Sequence, residues 1–339
     1  MRFLRLLLAI GLLTAFCSAE TNLNGAGATF PNPIYSKWFS EYHKAHPDVQ
    51  INYQPIGSGG GIKQLQAKTV DFGASDGPMS DEQLSATPFK VFHIPTVLGA
   101  VVPAYNLPSV KAELKFTPEV LAGIFLGNIK KWNDASLANA NPGVKFPDTE
   151  IIVVHRSEGS GTTYIWTDYL SKISDEWKTK VGKNASVNWP VGLGAKGNDG
   201  VTGQIKQTEG SIGYVELIYA LQNNIPYGTV KNTAGQFVKA SLQSVTEAAA
   251  SVKEMPDDFR VSITNAPGKG AYPISSFTWL LVPVEWNDAG KEKVFVDFLN
   301  WMAGPGQSMT SALDYAPLPK PVVQKIKARI NEIKVGKAQ

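Results

Sequence analysis

The stretch Ile151-Ile152-Val153-Val154-His155-Arg156-Ser157-Glu158-Gly159-Ser160-Gly161-Thr162-Thr163-Tyr164 decides how this chain folds. Its opening run of β-branched residues reads as a short buried strand, and Tyr164 with Trp166 reads as the start of a helix. Between them lie one arginine and a series of glycines and hydroxyl residues. A strand that gives way through such a connection to a helix is the building unit of an α/β protein. Three further segments follow the same design, in which small or hydroxyl residues open a helix after a strand. They are Gly25 to Phe30 ahead of a helix near Pro33, Gly57 to Gly61 between a strand at Ile51 and a helix over Ile62 to Lys68, and Ser75-Asp76-Gly77 after a strand at Phe72.

Working outward, Val49 to Tyr53, Val70 to Ala74, Val97 to Ala104, Ile151 to His155 and Ser211 to Val215 read as strands. Ile34, Trp38, Phe39 and Tyr42 recur at helical spacing and predict a core-facing helix. Thr117-Pro118-Glu119 has the form of a helix start, with Gly127 as its stop. Near the C-terminus, Val294, Phe295, Phe298, Leu299 and Met302 make one amphipathic stripe, and Val323, Ile326, Ile330 and Ile333 another. Asn141-Pro142-Gly143 and Ala266 to Gly270 are turn signals. No internal repeat or low-complexity tether divides the chain, so two α/β domains joined by crossovers are expected.

The N-terminus carries an address. Arg2 and Arg5 precede an apolar run from Leu6 to Phe16 that ends at Ser18 and Ala19, the pattern of a secretory signal peptide cleaved after Ala19. That run falls short of the roughly 20 residues a membrane-spanning helix needs. Cys17 is the one cysteine of the 339-residue chain, and Phe16 before it does not suit lipid attachment. The mature chain is therefore expected to have neither a disulfide nor a thiolate metal site, and to lie outside the cytoplasmic membrane. The formal charge of +3 includes Arg2 and Arg5. The mature protein is then nearly neutral, which removes the driving force for non-specific nucleic-acid binding.

Each of the four glycine and hydroxyl segments, alone, reads as an ordinary N-cap or tight turn. Together with Arg156 they indicate one anion site. Glycine lets the backbone approach a ligand, and the free N–H groups of a helix N-terminus point at an anion with the helix dipole behind them. In open α/β sheets ligands lie at the carboxyl ends of the strands, where all four segments fall. An enzyme is the rival class. However, His43 and His46 lack a third metal ligand, His93 and His155 stand alone, and Ser58 and Ser160 lack both a nucleophile elbow and a histidine base. No cofactor is expected. Gly192-Leu193-Gly194-Ala195-Lys196-Gly197 matches a dinucleotide pattern but reads as a loop and helix start, because Trp189-Pro190-Val191 makes a poor first strand. Asn184-Ala185-Ser186 matches a glycosylation acceptor, a motif too short to carry weight.

Gly25 to Pro33, Ile56 to Gly61, Val70 to Asp76 and Arg156 to Thr162 resemble, in this order, the ligand-binding segments of the periplasmic phosphate-binding proteins of ABC phosphate importers. The resemblance extends to Phe125 to Asn133, Gly194 to Val201 and Gly213 to Glu216. It implies a class II periplasmic-binding fold: two α/β lobes joined by crossover strands, with phosphate in the cleft between them. The lobes would comprise residues 20–95 with 272–339, and 96–271. Carried over by position, Thr29 and Phe30 would bind through backbone N–H and hydroxyl groups, Ser58 through hydroxyl and N–H, and Asp76 through its carboxylate. Arg156, Ser160, Gly161 and Thr162 would serve from the other lobe. The implied partners are phosphate and the permease subunits of an importer, with the protein itself a monomer that does no chemistry.

Two positions depart from the family pattern. Gly59 stands where relatives often have a second serine, and Glu158 where they often have aspartate. Asp76 carries the specificity argument, because a carboxylate in an anion site should repel its own ligand. Phosphate at neutral pH still carries a proton that it can donate to Asp76, whereas sulfate carries none. A site built for a ligand hydroxyl rejects the analogue lacking it by roughly 10⁴ to 10⁵.

Overall fold

The computed structural model describes residues 20–336. The signal-peptide reading of Arg2, Arg5, Leu6 to Phe16, Cys17, Ser18 and Ala19 falls outside them. The main sheet has eight strands, numbered in chain order: β1 Thr21–Gly27, β2 Val49–Gln54, β3 Phe72–Ser75, β4 Val91–Tyr105, β5 Ile152–Arg156, β6 Leu193–Ala195, β7 Ser211–Glu216 and β8 Ser275–Pro283. Their spatial order is β2-β1-β3-β8-β4-β7-β5-β6. The outer members form two parallel arrays, β2-β1-β3 and β7-β5-β6. Antiparallel β8 and β4 stand between them.

β4 is buried along all 15 of its residues and serves both halves of the sheet. Up to Ala100 it pairs with β8; from Val101 onward it pairs with β7. This switch of partner positions the site. Glu216, the last residue of β7, pairs with Val101, so the carboxyl end of that array faces the middle of β4. Ser75, the last residue of β3, pairs with Trp279 of β8, which itself pairs with Pro95, so the other array also ends toward the middle of β4. Two arrays of opposite direction thus bring their carboxyl ends together.

The helices that matter to the site follow those ends. They are α1 (Asn32–Ala45), α2 (Ser58–Gln66), α3 (Gly161–Ile173) and α4 (Gly197–Gln207). On α1 the face Ile34, Tyr35, Trp38, Phe39 and Tyr42 is buried, as its spacing predicts. Against it packs α5 (Ala289–Met302), which buries Phe295, Phe298, Leu299 and Met302. Phe298 lies with its ring centroid 5.4 Å from Phe39 and 5.3 Å from Tyr42. The C-terminal helix Lys320–Ile330 buries Val322, Ile326 and Ile330. Ile333 of the predicted stripe lies beyond the end of that helix.

Two local expectations change. Ser75-Asp76-Gly77 does not open a helix: the Ser75 hydroxyl donates to the Gly77 carbonyl at 2.5 Å, Pro78 follows, and the next helix begins only at Asp81 under a Ser80 cap. Gly192 to Gly197 is not a plain loop, because β6 lies within it and pairs in parallel with β5. The edge position of β6 lets so short a glycine-rich run complete the sheet, and Gly197 then starts α4 as expected.

Candidate functional site

Thr29, Phe30, Ser58, Asp76, Arg156, Ser160 and Thr162 are all at most 3% exposed, and Gly161 is buried among them. The point of closest approach joins segments remote in sequence. The Ser58 Oγ accepts from the Gly161 N–H at 3.0 Å and from the Asp76 N–H at 3.3 Å. The Gly59 N–H donates to the Gly159 carbonyl at 2.9 Å. Gly161 permits this approach by having no side chain: a Cβ there would stand 2.6 Å from Asp76 Cβ, Asp76 N and Ser58 Oγ.

Arg156 ends β5 and turns its guanidinium inward. Its Nε donates to Glu158 Oε1 at 2.8 Å, its Nη2 donates to the same oxygen, and its Nη1 reaches Thr162 Oγ1 at 3.2 Å. The Gly197 N–H at the start of α4 also donates to Glu158 Oε1, at 3.0 Å. Burial raises the Glu158 carboxyl, but its hydrogen bonds to Arg156 prevail and hold it below the usual range. Glutamate at this position thus retains the guanidinium partner. Ser160 caps α3, its Oγ accepting from the Thr163 N–H at 3.1 Å.

Asn198 joins the two sides, and residue-by-residue reading did not single it out. Its Nδ2 donates to Thr29 Oγ1 at 2.9 Å and to Thr162 Oγ1 at 3.3 Å, and its backbone N–H reaches Thr29 Oγ1 at 3.2 Å. Its Oδ1 accepts from the Glu216 N–H at 2.9 Å. The available signal was its place just after the last glycine of the G-x-G-x-x-G run. A common property follows for three hydroxyls: the oxygens of Thr29, Ser58 and Thr162 each accept two N–H bonds. Thr29 and Ser58 donate to no protein acceptor among the described residues, and the Thr162 hydroxyl is turned toward the Asp76 carboxylate. A hydroxyl whose oxygen is so engaged presents its proton as a donor.

The loop before α1 is held from outside by three phenols. Tyr53 donates to the Ala28 carbonyl at 2.7 Å, Tyr219 to the Thr29 carbonyl at 2.5 Å and Tyr315 to the Phe30 carbonyl at 2.6 Å. The N–H groups of Thr29, Phe30 and Ser58 meet no protein acceptor among the described residues. Consecutive main-chain N–H groups ahead of a helix form an anion-binding concavity.

Two carboxylates lie within this cluster of donors: Glu158, held by Arg156, and Asp76. Burial pushes the Asp76 carboxyl up to about 7, against the hydrogen bond from Thr278, the charge of Arg156 and the hydrogen bond from Thr162. Glu216 lies close by, fully buried, and burial raises its carboxyl well above the usual range. Its Oε2 accepts from the Ile218 N–H at 2.8 Å. Among the described residues no group of three or more His, Cys, Asp or Glu side chains could hold a metal.

Comparison with known proteins places this geometry. The profile of the PBP superfamily domain matches residues 17–305. The phosphate-binding protein PstS of Xylella fastidiosa strain Temecula1 is 47% identical over 311 residues, covering 91% of this chain and 85% of the relative. The chain belongs to the PstS phosphate-binding protein family. The PstS of Haemophilus influenzae is 45% identical, over 92% of this chain and 93% of its own. Among solved structures, a high affinity periplasmic phosphate-binding protein, PfluDING, bound with phosphate, superposes with a TM-score of 0.71 at 22% identity. That match covers 91% of this chain and 93% of the other. The phosphate binding protein from Stenotrophomonas maltophilia gives 0.70 at 19% identity, covering 91% of this chain and 94% of the other. At these identities the likeness establishes the fold, the two-lobed α/β architecture of periplasmic binding proteins, and the PstS relatives establish the family. This is a family of binding proteins and not of enzymes.

Proposed function

We propose that the chain captures inorganic phosphate between its two lobes outside the cytoplasmic membrane and delivers it to the permease subunits of an ABC importer. One observation carries this reading. Two buried hydroxyls, those of Thr29 and Ser58, have their oxygens engaged by N–H donors and their protons unclaimed, and with Thr162 they surround a buried arginine and the buried carboxylate of Asp76. A set of donors with the Asp76 carboxylate set among them fits a tetrahedral oxyanion that still carries a proton. Phosphate meets that requirement at neutral pH and sulfate does not.

In this reading Thr29 and Phe30 bind through main-chain N–H groups and the Thr29 hydroxyl, and Ser58 through hydroxyl and N–H. Asp76 accepts the ligand proton. Arg156 supplies the positive charge, with Ser160, Gly161 and Thr162 at the start of α3 supplying donors backed by the helix dipole. Near-complete burial of every one of these residues favours a small ion over an ester with a tail. The lobes we propose are residues 20–95 with 272–339 and residues 96–271, sharing β4. The protein acts as a monomer released by signal-peptide cleavage. Among the described residues no helix is long and apolar enough to cross a membrane.

Calorimetry on refolded, phosphate-free protein tests the reading. Phosphate should bind with one-to-one stoichiometry, with sulfate and a phosphomonoester weaker by at least about 10⁴ on the general scale for loss of a matched hydroxyl. Equal affinity for sulfate, or no phosphate binding, would refute it.

A further inference from the structure

Behind Asp76 lies a line of polar residues that the binding reading leaves unused. The Thr278 hydroxyl donates to Asp76 Oδ1 at 2.8 Å. Its alternative acceptor, the Ser75 carbonyl, lies at 3.4 Å. An ionised oxygen at the shorter distance is the stronger partner for the single proton of that hydroxyl. Thr278 sits at the register shift between itself and Trp279 on β8, and such irregularities re-aim a side chain. The position is braced from behind: Thr96 Oγ1 donates to the Thr278 carbonyl at 3.3 Å, and the Tyr35 hydroxyl lies 3.0 Å from Thr96 Oγ1. Tyr35, Thr96 and Thr278 are all buried.

We propose that Thr278 is a positioning residue for oxyanion selectivity, its hydroxyl occupying Asp76 Oδ1 so that the carboxylate stays ionised and offers Oδ2 to the proton of the ligand. The inference rests on the phosphate reading above and deepens it. Discrimination fails if Asp76 is a neutral acid, because a protonated carboxyl can donate to sulfate as readily as to phosphate. The surroundings push it that way. Arg156 is the one cation among the titratable groups that share its field; the others are the buried carboxyl of Glu216 and the phenols of Tyr35, Tyr53, Tyr219 and Tyr315. The carboxyl stands at about 7 with the donor from Thr278 already lowering it, so loss of that donor tips Asp76 toward the neutral acid at neutral pH.

A hydrogen bond to the charged form lowers an acid's pKa, so removing it moves the titration of Asp76 to higher pH. Selectivity for a proton-bearing anion is present above that titration and lost below it. The test compares wild type, Thr278→Val, Thr278→Ala and Thr278→Ser by calorimetry with phosphate and with sulfate at several pH values across neutrality. Near-UV circular dichroism and thermal unfolding check the fold. Wild-type phosphate binding is the separate arm for the underlying reading, and its failure sinks that reading and this inference together.

With wild-type binding in hand, Val and Ala should each lower the phosphate-to-sulfate ratio at neutral pH by about tenfold or more, the scale of a hydrogen bond to a charged group. The rise of the ratio with pH should be displaced to higher pH, and Ser should restore both. Val and Ala variants that keep the wild-type ratio and pH profile, or a Ser variant that fails to restore them, would overturn the inference. The Ala variant removes the hydroxyl without placing a new methyl against Asp76, so misfolding of Val alone does not spare the proposal.

Discussion

Adding one methyl group at Gly161 tests whether the two sides of the site meet only in the ligand-holding arrangement. The Cβ of an alanine there would stand 2.6 Å from three atoms, Asp76 Cβ, Asp76 N and Ser58 Oγ, all contributed by the opposite side. Normal carbon contacts lie at about 3.5–4.0 Å. Two of those atoms are a backbone nitrogen and a first side-chain carbon, which cannot swing aside. Only the Ser58 hydroxyl can rotate, and doing so breaks its bond to the Gly161 N–H. Overpacking of this kind costs about 1–3 kcal/mol. If the strain is confined to the closed arrangement, it reads out as phosphate affinity weakened roughly 5- to 150-fold. Calorimetry of Gly161→Ala should give that loss, with the thermal midpoint of the phosphate-free protein within a degree or so of wild type. Gly203→Ala is the control, because a Cβ at Gly203 meets nothing within 4 Å. Wild-type affinity in Gly161→Ala would refute the reasoning. An equal loss of stability in the phosphate-free protein would also do so, since it would mean that the contact persists without ligand.

Three other outcomes are expected. Asp76→Asn preserves size and removes the charge, so phosphate should weaken only modestly while sulfate recovers a substantial part of roughly 5 kcal/mol; a phosphate-to-sulfate ratio unchanged in competition titrations would remove Asp76 from the discriminating role. Arg156→Ala should cost about 2–5 kcal/mol of phosphate binding, since it removes the buried cation and leaves Glu158 without its partner; an unaltered binding isotherm would count against the site. The third concerns acid stability. Burial lowers His93 to about 4, and its Nε2 accepts from the Met79 N–H at 3.0 Å. The unfolded chain therefore binds a proton at His93 that the folded chain refuses between about pH 6.5 and 4, and stability should fall by up to about 3 kcal/mol as pH drops through that window. His93→Gln should flatten this part of the pH dependence in denaturant unfolding, and a slope equal to wild type would locate the acid sensitivity elsewhere.

Local chemistry made some parts of this molecule legible in its sequence and left others closed. The segment from Arg156 to Thr162 was readable because all of its signals lie within one strand, one turn and one helix start. Asp76 was readable as a residue, but the helix expected after it was not formed, because the Ser75 turn and Pro78 carry the chain past it. Thr278 and Asn198 gave little sign of their roles: their partners Asp76 and Thr29 are 202 and 169 positions away, and only the tertiary fold brings them together. The two departures from the family pattern also resolve in space. Glu158 keeps its bond to Arg156. A Cβ at Gly59 would lie 3.1 Å from the Gly159 Cα, so glycine suits the close pairing of these two backbones.

The three phenols that grip Ala28, Thr29 and Phe30 also set an order of events in the life of the chain. The gripped loop is synthesised well before two of its clamps. One of its clamps, Tyr315, comes 285 positions after Phe30, and Tyr219 comes 190 after Thr29. This early-made part of the site is thus late to take its final shape, and a chain not yet extended past Tyr315 has no finished cradle. Completion of the loop thus becomes a property of chains that have folded as far as Tyr315.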